Sequence, residues 1–115
     1  MAMLSSHLLN GVDGTHAGNV AISLIKIEAA GTRLPVFQGV SDEGGRFKCE
    51  VSADSDAIYE MVISSGTYFD VREIPHNGMK IMSDIVIRVS PPDISANYHI
   101  PVIMSPNSYS CWLSS

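Results

Sequence analysis

The chain has 115 residues, 45% hydrophobic and only 17% charged, the balance of one globular domain spanning 1–115 that is sparing with surface charge. Seven Lys and Arg against twelve Asp and Glu give a net charge of −5 without any basic patch, which argues against a nucleic-acid partner. No segment approaches the roughly twenty apolar residues of a membrane span, and Cys49 and Cys111 have neither metal-ligand spacing nor the numbers for a disulfide framework. The start, Met1-Ala2-Met3-Leu4-Ser5-Ser6-His7, lacks the basic and long apolar regions of a secretory signal. A cytoplasmic protein with two reduced, packed thiols is the expectation.

Turn signals recur at Asn10-Gly11, Asp13-Gly14, Gly31, Gly44-Gly45, Ser64-Ser65-Gly66, Asn77-Gly78, Pro91-Pro92 and Ser105-Pro106. Strands fit between them near 3–9, 18–28, 33–40, 45–51, 57–63, 81–90, 97–104 and 108–114. The first carries His7 between apolar neighbours. The second, around Val20 to Ile27, is apolar on one face and mixed on the other. One short helix is expected near 65–73, with Ser64 or Ser65 as its N-cap and Pro75 stopping it. In the sixth strand Ile85, Ile87 and Val89 face one way. In the seventh Tyr98, Ile100, Val102 and Met104 share a face, which sends His99, Pro101 and Ile103 to the other. Eight strands and one helical turn make an all-β sandwich.

Few side chains in this pattern can carry chemistry. Imidazole transfers protons near neutral pH, and two of the four histidines, His7 and His99, sit in strands; more often such a histidine is a hydrogen-bonded core or interface residue. Arg46 follows the turn Asp42-Glu43-Gly44-Gly45; a turn arginine is usually only solvated, but in a cleft its fork of donors could hold a carbonyl or oxyanion. Ser115 offers a hydroxyl and a carboxylate, and the β-pattern running up to it suggests an ordered end. Glu50, Asp54 and Asp56 fit no oxygen-ligand loop and read as a solvated turn. Cys111 lies in an apolar strand with no adjacent base in sequence.

Read together, these segments resemble the transthyretin-like family in its 5-hydroxyisourate hydrolase branch. Leu4-Ser5-Ser6-His7-Leu8-Leu9-Asn10-Gly11 is similar to its N-terminal motif, and Ser41-Asp42-Glu43-Gly44-Gly45-Arg46 to its Asp-Gly-Arg turn. Tyr59 to Ile63 and Gly66-Thr67-Tyr68-Phe69 resemble its fifth strand and helix. Tyr98-His99-Ile100-Pro101, Ser105-Pro106 and Tyr109-Ser110 are similar to its C-terminal signature. The resemblance implies a two-sheet transthyretin-like sandwich assembled as a homotetramer, a dimer of dimers with active sites where the dimers meet. It also implies His7, Arg46, His99 and Ser115 as catalytic residues, a heterocyclic substrate, and no metal or other cofactor. On that model His99, assisted by His7, activates a water against a ring carbonyl, Arg46 holds the oxyanion, and Ser115 binds a ring heteroatom or orients a histidine.

The pattern departs at its end. Trp112-Leu113-Ser114-Ser115 stands where the family carries Tyr-Arg-Gly-Ser, which marks Trp112, Leu113 and Ser114 as substrate-binding candidates. Leucine cannot imitate a guanidinium. His16 stands where proline is usual, Asn97 where a histidine is frequent. Besides hydroxyisourate hydrolysis, two readings remain: an enzyme redirected to open, close or rearrange another heterocycle, and a non-catalytic binder such as transthyretin itself. Retention of His7, Arg46 and His99 speaks against the last.

Overall fold

The computed structural model describes residues 2–52, 56–93 and 95–114. Two-residue alternation decides its architecture, because each strand must bury one face. Strand β1 (Ala2–Asn10) buries Ala2, Leu4, Ser6, Leu8 and Asn10 and turns Met3, Ser5, His7 and Leu9 the other way. The elements that follow are β2 (Ala21–Ile27), β3 (Arg33–Val40), β4 (Arg46–Val51), β5 (Ile58–Ile63), the helix α1 (Ser65–Val71), β6 (Ile85–Val89), β7 (Asn97–His99), β8 (Val102–Ser105) and β9 (Ser108–Cys111). One sheet runs β4-β1-β8-β9 with β7 also on β1; the other runs β3-β2-β5-β6. Leu4, Leu8, Ile22, Leu24, Tyr59, Met61, Ile63, Ile85, Val102 and Met104 fill the space between them, joined by Phe69 of the helix. The fold is the all-β, two-sheet sandwich with one short helix that the sequence implied.

Several element boundaries differ from expectation, among them the end strand, which stops at Cys111 and not at 114, and three of the differences have a clear local reason. The single strand expected over 97–104 is two strands, since Pro101 has no N–H for a ladder. Parallel pairing of β7 with Met3–Ser5 and of β8 with Leu8–Asn10 leaves a break opposite Ser6 and His7. There Ile100 N–H donates to Ser5 O (2.9 Å) and Ser6 Oγ donates to Ile100 O (2.5 Å), so the broken ladder keeps its hydrogen bonds. The helix stops at Val71, well before Pro75: Glu73 adopts a left-handed φ of 55° and its N–H returns to Asp70 O, closing the C-terminal turn without the proline. Ser64 is its N-cap but makes no side-chain capping bond. Residues 81–84 are not strand. Their neighbourhood is held by side chains instead: Ile81 N–H donates to Asn107 Oδ1, Asn107 Nδ2 to Met79 O, and Lys80 Nζ to Gly66 O while pairing with Asp70.

Candidate active site

The outward face of the β4-β1-β8-β9 sheet gathers the polar residues that β1 and its neighbours cannot bury. Residues directly opposite in a ladder share a face. The register sets His7 against Arg46, Ser5 against Lys48 and, across the other edge of β1, Ser5 against His99. Ser5, Ser6, Asp42, Arg46, Phe47, Lys48 and His99 line a trough of about 400 Å³ over the strand break. The interruption at Pro101 thus opens the sheet where its titratable side chains meet.

Each group is held by a local device. The turn before β4 closes with Gly45 N–H donating to Asp42 O and Asp42 N–H to Arg46 O, while Asp42 Oδ1 accepts from Arg46 N–H at 2.9 Å. Gly45 has φ +80°, and a Cβ there would collide with the Leu8 carbonyl, so only glycine lets this turn approach β1. That approach presents Arg46 beside His7. On the far side, Ser5 Oγ lies 2.8 Å from His99 Nδ1, which orients the imidazole and leaves Nε2 for the trough. The chain after β9 then returns along β7: Ser114 N–H donates to His99 O at 2.8 Å in an antiparallel bridge. His99 is gripped from both flanks.

Electrostatics distinguish His7. Partial burial, then the Arg46 guanidinium and the His16 ring, pull its proton affinity below the ordinary imidazole value; a hydrogen bond to the Gly44 carbonyl opposes them, and His99 adds a smaller lowering. Among the described residues, no ion pair involves Arg46 or Lys48, so both cations keep donors for the trough, which Asp42 also borders. The arrangement can orient one imidazole, keep a second neutral, and bind an anion or oxyanion. No cluster of three or more His, Cys, Asp or Glu side chains suited to a metal ion occurs among the described residues.

The candidate residues separate on this map. His7, Arg46 and His99 come together, and Ser114 bridges to His99 through its backbone. Ser115 lies outside the described residues, as does Asp54. Leu113 does not line the trough; it borders an apolar groove of about 280 Å³ with Leu4, Val89, Pro91, Pro92, Tyr98 and Ile100. Trp112 is about half exposed and is not a trough residue either. Ser5, Lys48 and His16 were not singled out as site residues. For Ser5 and Lys48 a signal existed, since strand period two puts Ser5 beside His7 and Lys48 beside Arg46. For His16 the only sign was an unusual residue after Gly14-Thr15.

A family model described as the HIUase/Transthyretin family matches residues 4–113. The chain is 29% identical over 118 residues to a 5-hydroxyisourate hydrolase of Ralstonia nicotianae, covering all of both chains. In structure it resembles Klebsiella pneumoniae 5-hydroxyisourate hydrolase, with a TM-score of 0.79, 22% identity and full coverage of both chains. It also resembles (S)-allantoin synthase, with a TM-score of 0.83 and 23% identity, matching 99% of this chain but 44% of that one. These two likenesses are of fold.

Proposed function

Because the chain belongs to the HIUase/Transthyretin family, we propose that it hydrolyses 5-hydroxyisourate to 2-oxo-4-hydroxy-4-carboxy-5-ureidoimidazoline, a step of urate degradation. The observation that supports this most is the meeting of His7, Arg46 and His99 on one sheet face, with His99 Nδ1 engaged by Ser5. In the tautomer where His99 Nδ1–H donates to Ser5 Oγ, Nε2 carries the lone pair and takes a proton from water. The water oxygen bonds to the ring carbonyl carbon, and the developing oxyanion falls to the Arg46 guanidinium. As the carbon–nitrogen bond breaks, the imidazolium returns the proton to the departing nitrogen, so one water is added and the ring opens. His7 assists as a neutral imidazole beside Arg46. Lys48 adds positive charge to a site whose substrate and product are acidic. Ser115 keeps its proposed role at a ring heteroatom or against a histidine.

The protein acts as a homotetramer in this reading. The trough lies open on a sheet face that also exposes Ile103, and a second dimer seated there would wall the site off from bulk solvent while leaving the reacting water inside. The deciding experiment generates 5-hydroxyisourate from urate with urate oxidase and follows its ultraviolet decay. Decay should be accelerated by the wild type and slowed about 10³-fold in kcat/KM by His99→Ala. Wild-type decay at the spontaneous rate would refute the proposal and point to another heterocycle.

A further inference from the structure

Hydrolysis as described employs His99, Arg46 and His7 and leaves a third imidazole of the same face, His16, without a task. The Asn10–Thr15 reversal brings the chain back along β1 just beyond the end of β4, where Ala17 N–H donates to Leu8 O and His16 pairs with Leu9. His16 therefore shares the face of Leu9 and His7 and sits diagonally across from His7. His7 Nε2 lies 2.9 Å from His16 Nδ1, and the two rings meet edge to edge, with centroids 4.9 Å apart and planes inclined by only 24°.

Two neutral imidazoles can share a hydrogen bond only in complementary tautomers, one giving an N–H and the other a lone pair. The Gly44 carbonyl near the His7 ring can only accept, and so favours an N–H on the nitrogen that faces it. With Nε2 turned to His16, Nδ1 is the nitrogen left to carry that proton. His7 Nε2 then holds a lone pair, His16 Nδ1–H is the donor, and His16 Nε2 faces outward on an exposed ring. We infer that His16 is a positioning residue for His7, fixing it as the neutral Nδ1–H tautomer beside Arg46.

The groups facing this pair are Arg46 from β4 and His99 from β7 on the His7 side. On the His16 side Asp42, Glu43 and Arg72 border a shared shallow hollow. A protonated His7 would confront Arg46 directly and would make His16 give up its Nδ1–H and turn a lone pair to His7 instead. Arg46 and the His16 ring together oppose charging of His7 and keep it ready to accept. The kinetic consequence rests on the hydrolase reading; the tautomer assignment does not.

The test is ¹⁵N-histidine NMR through a pH titration, run on the wild type, His16→Phe and His16→Asn, with kcat and KM on 5-hydroxyisourate. Phenylalanine keeps an aromatic ring and loses the donor; the asparagine amide restores a donor close to the Nδ1 position. Wild-type His7 should show a protonated Nδ1 and a bare Nε2. In His16→Phe the two tautomers should mix, the His7 titration and the acid limb of kcat/KM should both move to higher pH, and kcat should fall about tenfold at unchanged KM. His16→Asn should recover the tautomer and most of kcat. An unchanged His7 tautomer and titration in His16→Phe would overturn the inference, as would equal loss in both variants without movement of the acid limb. A wild type inactive on 5-hydroxyisourate would defeat the hydrolase proposal alone, because the NMR titration still decides what His16 does to His7.

Discussion

The two sheets carry charge on their outer faces in opposite ways. On the β3-β2-β5-β6 sheet, Glu60 stands between Arg33 and Arg88: Arg33 Nη1 donates to Oε1 at 2.5 Å, and Arg88 Nη2 and Nε donate to Oε2 at 2.8 and 3.2 Å. Glu60 is only 7% exposed, covered by the two guanidinium arms and set opposite Ile25 in the ladder. On the β4-β1-β8-β9 sheet, Arg46 and Lys48 border a trough with two imidazoles near, and none of the ion pairs among the described residues reaches them. Satisfied charge staples strands; charge left with spare donors can meet a ligand. The difference separates a supporting face from a working one.

That separation can be broken from either side. The larger expected effect is on the working face, where Arg46→Ala should lower kcat/KM about 10²- to 10³-fold while leaving the melting temperature nearly unchanged, since its guanidinium binds the reaction and not the fold. Steady-state kinetics beside a thermal melt will show it; a protein that loses stability in step with activity would mean that Arg46 is structural. Glu60→Gln should do the reverse. Removing the carboxylate charge leaves Arg33 and Arg88 facing each other, and the melting temperature should drop by about 3 °C with kcat/KM intact. A large loss of activity in this variant would couple the two faces and undo the contrast.

The smallest effect sharpens the comparison through pH. Glu60 is held below the ordinary carboxylate range by its bonds to Arg88 and then Arg33. The unfolded chain therefore binds more protons there, and the stability Glu60 contributes is present above about pH 4.5, its ordinary value, and lost as pH falls below it. His7 is also lowered, by desolvation first and then by Arg46, so it too favours the fold when neutral. Its contribution is present above about pH 6.5 and lost as pH falls below that. Acid titration of stability should thus weaken in two steps, the upper one absent in His7→Phe and the lower one reduced in Glu60→Gln, where Asp13 and Asp93, also held below the ordinary carboxylate range by hydrogen bonds to Thr15 and Ser95, still contribute. A single step unmoved by either substitution would contradict both assignments.

Much of this was legible in the chain as written. Turn residues spaced for short strands implied the sandwich, and alternation placed Ile85, Ile87 and Val89 toward the core and His99 away from Tyr98, Ile100 and Val102. The His7 and His99 segments and the Asp42–Arg46 turn marked three residues that the fold brings to one face. These readings succeed because strand periodicity and turn chemistry are properties of neighbouring residues. What happens after Leu113 replaces an arginine was not legible: the leucine borders the inter-sheet groove, not the trough, because the terminal segment swings back to bridge Ser114 to His99.

The sequence by itself determined the class of fold, the candidate bases and the arginine. Only the tertiary structure decided how they are held. Ser5 reaches His99 across 94 positions of chain, and His16 meets His7 only because β4 ends where the returning loop takes its place beside β1. Both depend on register between separate segments, where one residue of slip would turn every side chain to the opposite face. Local pattern carries no information about that register; it is set when the whole sandwich closes on its core.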